Sequence, residues 1–155
     1  MKKVFKPILS IMLGSAVVVS LNSCKKDDVK EAAKPSLGVA KVSGTVFVDT
    51  DLNATGTQFL SGIKVIARAN SSELVNNPSG TYSYPIIVKE TTTDASGKYS
   101  FELQVGDKGI TYTIETQDKE YIEIQVGGTA TQREVYSGTF QTVTLHKGSE
   151  QVLDF

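Results

Sequence analysis

The chain has 155 residues, enough for one domain, and its 16 Lys and Arg nearly balance 17 Asp and Glu for a formal charge of −1. A chain with no excess of basic residues argues against nucleic acid as a partner. The single cysteine cannot form an internal disulfide, and the single histidine cannot supply both a metal centre and a general base.

Residues 1–23 read as a secretory signal: Lys2, Lys3 and Lys6 precede an apolar run from Ile8 to Leu21, and small polar residues follow before Cys24. The run of about 14 residues falls short of the roughly 20 that a membrane-spanning helix needs, so it reads as an export signal. Leu21-Asn-Ser-Cys24 resembles the bacterial lipoprotein box, in which the cysteine is lipidated and becomes the first residue of the mature protein. The alternative is a free thiol beside an ordinary cleavage site. Acyl chains contribute about 0.8 kcal/mol per buried CH₂, so several of them hold a protein on a bilayer without a spanning segment. Removal of residues 1–23 takes away three lysines and no acid, leaving 13 basic and 17 acidic residues and a formal charge of −4. Residues 24–38 are then the lipidated cysteine and a tether too poor in large apolar residues to fold. Fully extended, the tether reaches at most about 46 Å. Its Lys26-Asp27-Asp28 cluster resembles the charged signal that sends lipoproteins of the Bacteroidetes to the cell surface, although a solvated spacer accounts for the same residues.

Residues 39–155 change character: β-branched and aromatic residues are interrupted by Gly, Asn, Asp and Ser about every ten positions, the pattern of an all-β sandwich. A first strand over Lys41 to Asp49 places Val42, Val46 and Val48 on one face, and a second over Gly62 to Ala69 turns Ile63, Val65, Ala67 and Ala69 inward and Lys64, Ile66 and Arg68 outward. Asn70 to Tyr84 is the longest polar connection, the kind of loop on which recognition residues sit. Pro85 opens a strand over Ile86 to Thr92, which leads into a turn at Asp94-Ala-Ser-Gly97 and a strand with Tyr99, Phe101 and Leu103 on one face. The two strands read as a β-hairpin with one wet side. Ile110 to Glu115 and Tyr121 to Val126 follow, with Ile122, Ile124 and Val126 expected inward, and Arg133 to Phe155 supplies one or two closing strands. The expected fold is a seven- to eight-stranded antiparallel Greek-key sandwich.

Ser43-Gly-Thr-Val-Phe-Val-Asp49, Leu60-Ser-Gly-Ile-Lys-Val65 and Thr93-Asp-Ala-Ser-Gly-Lys-Tyr-Ser-Phe101 together resemble the carboxypeptidase regulatory-like and transthyretin-like domains and the B-type repeats of Gram-positive surface adhesins. The resemblance spans roughly residues 40 to 115 and implies a transthyretin-like or immunoglobulin-like sandwich. The shared residues are turn glycines and core positions, which specify fold rather than function.

Asp49, Asp51 and Asn53 place oxygen ligands at alternate positions, the spacing that begins a calcium-binding loop. Ala54 stands where that loop needs glycine and Leu60 where it needs the bidentate glutamate, so a solvated turn is the competing reading. Some adhesin B-type repeats bind calcium in a loop at this point. The resemblance also implies a search for an intramolecular lysine–asparagine bond, for which the residues here are Lys41, Glu102 and Asp154, with no asparagine in the last strand. A transthyretin-like hydrolase needs several histidines and a tyrosine-arginine-glycine-serine end; this chain has His146 alone and ends in Val-Leu-Asp-Phe155. Tyr82, Tyr84, Tyr121 and Tyr136 are the candidates for a sugar-stacking platform. The reading is a non-catalytic, lipid-anchored module of the outer membrane at the cell surface, with a protein or glycan partner. Glycan or calcium binding is the alternative, and an enzyme is not expected.

Overall fold

The computed structural model describes residues 36–155 apart from Thr129, so the signal segment, Cys24 and most of the tether lie outside the described residues. The fold is all-β. Among the described residues its strands are β1 (Gly38–Thr45), β2 (Lys64–Asn70), β3 (Ile86–Thr92), β4 (Lys98–Val105), β5 (Ile110–Thr116), β6 (Lys119–Ile124), β7 (Thr131–Tyr136), β8 (Phe140–Leu145) and β9 (Glu150–Val152), with a 3₁₀ turn at Ser71–Leu74. A three-stranded sheet, β4-β1-β9, packs face to face on a four-stranded sheet, β3-β2-β5-β8, and β6 and β7 form a separate ribbon. Seven strands thus build the sandwich and two lie outside it. One sandwich pair, β1 with β9, is parallel.

The alternation of each strand supplies the core. Ala40 and Val42 of β1 and Tyr99, Phe101, Leu103 and Val105 of β4 meet Val65, Ala67 and Ala69 of β2, Ile110, Tyr112 and Ile114 of β5 and Leu145 of β8. Each large aliphatic or aromatic side chain so buried contributes about 1.5–3 kcal/mol. The two core tyrosines keep their hydroxyls bonded at the rim: Tyr99 donates to Leu153 O (2.7 Å) and Tyr112 to Gln104 O (3.0 Å). Burial, then the charge of Asp154, pushes the Tyr99 phenol far above its ordinary value, so it remains a donor.

Three expectations are corrected. The turn before β4 has the expected local geometry: Asp94 Oδ1 accepts from Ser96 N (2.8 Å) and Lys98 N (2.9 Å), and Gly97 has φ +70°. The strands on either side of it nevertheless belong to different sheets, β3 pairing with β2 and β4 with β1, so this is a sheet-to-sheet crossing and not a hairpin. Thr93 makes the crossing: its N–H bonds Ile63 O (2.9 Å), its hydroxyl donates to Leu60 O (2.7 Å), and chain pairing with β2 ends there. Second, Ile66 was expected outward with Lys64 and Arg68 but is buried. Its register partners are Glu90 and Glu115, and these acids form ion pairs with Lys64 (3.2 Å) and Arg68 (2.9 Å), so four charged residues surround it with their alkyl stems. Third, the β6 face is inverted. Tyr121 and Tyr136 pack against the core, whereas Ile122 is 55% and Val126 79% exposed and Ile124 only half-buried.

The registers sort the loops to two ends. Gly38 pairs with Val105, Ile110 with Leu145 and Asn70 with Ile86, which gathers the chain entry at Gly38, the Asn70–Pro85 loop and the 106–109 and 146–149 turns at one end. Thr45 pairs with Lys98, Lys64 with Thr92 and Glu115 with Phe140, so the 46–63 segment, the Gly97 turn and the β6–β7 ribbon share the other.

Candidate functional site

At the end away from Gly38, the loop carrying Asp49, Asp51 and Asn53 is organised around one side chain, that of Gln58. Its Oε1 accepts from Thr50 N (2.8 Å), Thr50 Oγ1 (2.6 Å) and Asp51 N (2.7 Å). Its Nε2 donates to Asp51 O (2.7 Å) and Asp49 Oδ1 (3.3 Å). Asp51 Oδ1 accepts from Asn53 N (2.9 Å) and Asn53 Nδ2 (3.1 Å). Asn53 then spans to the ribbon tip, donating to Gln125 O (2.7 Å) and accepting from Gly127 N (2.9 Å). The three residues are therefore brought together, but one side-chain oxygen of each, Asp49 Oδ1, Asp51 Oδ1 and Asn53 Oδ1, already accepts from an N–H donor, and the backbone N–H groups of Thr50 and Asp51 turn inward to Gln58. Among the described residues no group of three or more His, Cys, Asp or Glu side chains converges as a metal site.

Such an arrangement predicts that calcium leaves the fold unchanged, because a cation would have to displace the Gln58 amide and meet inward-pointing N–H groups. Thermal melts of the full chain in millimolar calcium and in chelator should superimpose. A rise of several degrees with calcium, abolished by Asp51→Ala, would show that the loop rearranges into a cation site.

The ribbon is held rigidly beside this loop. Thr116 Oγ1 accepts from Thr139 N (3.0 Å) and lies 2.8 Å from Tyr136 Oη, Gly138 N donates to Asp118 Oδ1 (2.7 Å), and Lys119 Nζ donates to Ser61 O. Leu52 N donates to Ile124 O and Ile124 N to Thr50 O, each at 2.9 Å. Tyr121 and Tyr136 face the core on one side of the ribbon, and Ile122 and Val135 project from the other, 55% and 53% exposed. Burial, then the charges of Glu123, Glu134 and Asp49, raises the Tyr121 phenol.

The four tyrosines do not assemble into a platform. Tyr82 is 72% exposed in the long loop, Tyr84 accepts from Ser79 N (2.9 Å), and the other two pack inward at the opposite end. Lys41 and Glu102 are cross-strand neighbours on the exposed face of β1 and β4, and Asp154 Oδ1 accepts from Thr45 N (2.8 Å), so these three share no buried site. His146 is exposed.

The Asn70–Tyr84 loop, by contrast, borders an open cleft of about 310 Å³ against the ends of β5 and β8. Asn70 Oδ1 caps the 3₁₀ turn by accepting from Ser72 N (2.9 Å). The turn presents Glu73, whose Oε2 accepts from Thr111 N (2.8 Å), and Lys108 Nζ donates to Asn76 O (2.7 Å). Ser72, Val75 and Pro78 line the loop side, and Thr111 and Thr144 the sheet side, with their hydroxyl oxygens 3.1 Å apart.

No protein-family model matches the chain, and no curated protein is significantly similar to it. Among solved structures it is similar to the shaft pilin SpaA from Lactobacillus rhamnosus GG, at 13% identity and a TM-score of 0.38, over 77% of this chain and 48% of that one. The chain thus spans about half the length of the pilin.

Proposed function

We propose that this chain is a non-catalytic, lipid-anchored β-sandwich of the cell envelope, exposed on the outer membrane as an interaction or accessory subunit. The observation that carries the reading is the β6–β7 ribbon, which is outside both sheets yet fixed to the sandwich, with Ile122, Val126 and Val135 directed to solvent. Ile122 and Val135 lie diagonally on one face of the ribbon beside the Arg133–Glu120 ion pair, and exposed apolar residues rimmed by charge on an outlying element are a feature of docking surfaces. The ribbon lies at the end of the sandwich opposite Gly38, where β1 begins. The carboxypeptidase regulatory-like or transthyretin-like character is part of this proposal, supported by the Asp94–Gly97 turn and by strands that pair β4-β1 and β2-β5 across the two sheets.

A photo-crosslinking residue placed at Val135 of the full chain in intact cells tests it. The expected result is a discrete adduct that disappears with Ile122→Asp. A surface-exposed protein that yields no adduct above background overturns the reading.

A further inference from the structure

We infer that the cleft between the Asn70–Tyr84 loop and the ends of β5 and β8 is a binding site for one residue of a neutral saccharide. Its polar groups are fixed but incompletely used. Glu73 Oε2 accepts from Thr111 N, and the other carboxylate oxygen can accept from a ligand. Lys108 gives one of its three ammonium protons to Asn76 O and keeps two. Thr111 and Thr144 share one proton across their 3.1 Å contact, which leaves the second hydroxyl proton to donate outward.

Opposite charges on the two walls disfavour a singly charged ligand. Any attraction of an anion to the Lys108 ammonium is opposed by the Glu73 carboxylate, and any attraction of a cation to Glu73 is opposed by Lys108. An apolar ligand strips water from four or more polar groups and bonds none of them, which is costly for each. A neutral sugar avoids all three penalties, since each of its hydroxyls both donates and accepts, and its C–H face fits against Val75 and Pro78. At about 310 Å³ the cleft lies at the small end of ligand sites, which limits it to one ring with the rest of a glycan in solvent. The turn is docked on the sheet by Glu73 and Lys108 themselves, so the groups are in place before the ligand arrives.

The assignment rests on the surface-module reading only for access to glycans outside the cell. The test uses purified full chain in detergent micelles on an array of neutral, sialylated and sulfated oligosaccharides, followed by titration of the best-retained neutral glycan. Neutral glycans are expected to be retained and acidic ones not. Glu73→Gln and Lys108→Met each weaken binding about tenfold, the loss of one hydrogen bond to a charged group. Thr144→Val, which keeps shape and removes the hydroxyl, weakens it with no change in melting temperature, and Lys98→Val at the other end leaves it unchanged. A silent array, retention of acidic glycans alone, or binding indifferent to both Thr144→Val and Lys108→Met overturns the assignment. Any of these leaves the Val135 adduct untouched, so failure of the cleft and failure of the surface module are distinguishable.

Discussion

Gly44→Ala is expected to lower the melting temperature of the domain by more than about 10 °C, whereas Gly80→Ala leaves it unchanged. A Cβ built on Gly44 falls 1.7 Å from Leu153 O and 2.9 Å from Tyr99 Cε1, while one on Gly80 meets nothing within 4 Å. The close approach exists because the C-terminal segment runs beside β1, with Leu153 N donating to Ser43 O (2.9 Å), Phe155 N to Thr45 O (3.0 Å) and Phe47 N to Phe155 O (2.7 Å). A methyl group cannot enter without moving Leu153, and moving it breaks these bonds and the one from Tyr99 Oη. Overpacking of about 1–3 kcal/mol and two or more hydrogen bonds at about 1 kcal/mol each give a cost of about 3–5 kcal/mol. Against a total stability of about 5–15 kcal/mol that is a large share. A Gly44→Ala melt within a few degrees of wild type would mean that the C-terminal segment does not lie along β1.

Gly97→Val is the second large effect. The left-handed backbone at φ +70° costs a non-glycine residue about 1–2 kcal/mol, and a Cβ here also meets Val46 O at 2.8 Å and Phe59 Cβ at 2.9 Å. Together with an overpacking cost of about 1–3 kcal/mol these give about 2–5 kcal/mol. Lys98→Val, one residue later on an exposed strand position, stays within about 0.5 kcal/mol. Chemical denaturation of both variants checks the difference, and equal midpoints would show that the turn adopts another geometry. Because this turn carries the chain from one sheet to the other, its loss separates β4 from β3 rather than opening a hairpin.

The strand faces were largely legible because a period of two is written directly in the side chains. Tyr99, Phe101 and Leu103 are inward as read, and β3 spans Ile86–Thr92 as Pro85 indicated. Pairing was not legible in the same way, since alternation says which face is apolar but not which strand lies alongside. Asp94 and Gly97 would suit a hairpin equally well, and only the long-range bonds of Thr93 to Leu60 and Ile63 decide for a crossing. Tyr121 to Val126 shows the other failure, of phase. Two apolar sets alternate there, and the contacts of Tyr121 and Tyr136 with the core select the one that an aliphatic count passes over. Ile66 was misread because charged neighbours advertise an exposed face even when their stems cover what lies between them.

Among site residues, Asp49, Asp51 and Asn53 were legible as one polar loop, but Gln58 was not, since an isolated glutamine carries no spacing signal and its role exists only once the loop has folded around it. The cleft had half a signal in the length of the Asn70–Tyr84 loop. Its sheet side depends on the register that sets Thr111 opposite Thr144 and on the reach of Glu73 to Thr111, which no local pattern encodes.

Lipidation of Cys24 is the step on which the proposed surface module depends, and it is tested most directly by metabolic labelling with a clickable fatty acid followed by membrane fractionation. Wild-type chain is expected to carry the label and to sediment with the membrane, and Cys24→Ala to lose both the label and the membrane association while keeping the wild-type melting temperature. Equal labelling of the two, or unlabelled wild-type protein in the soluble fraction, would contradict the account.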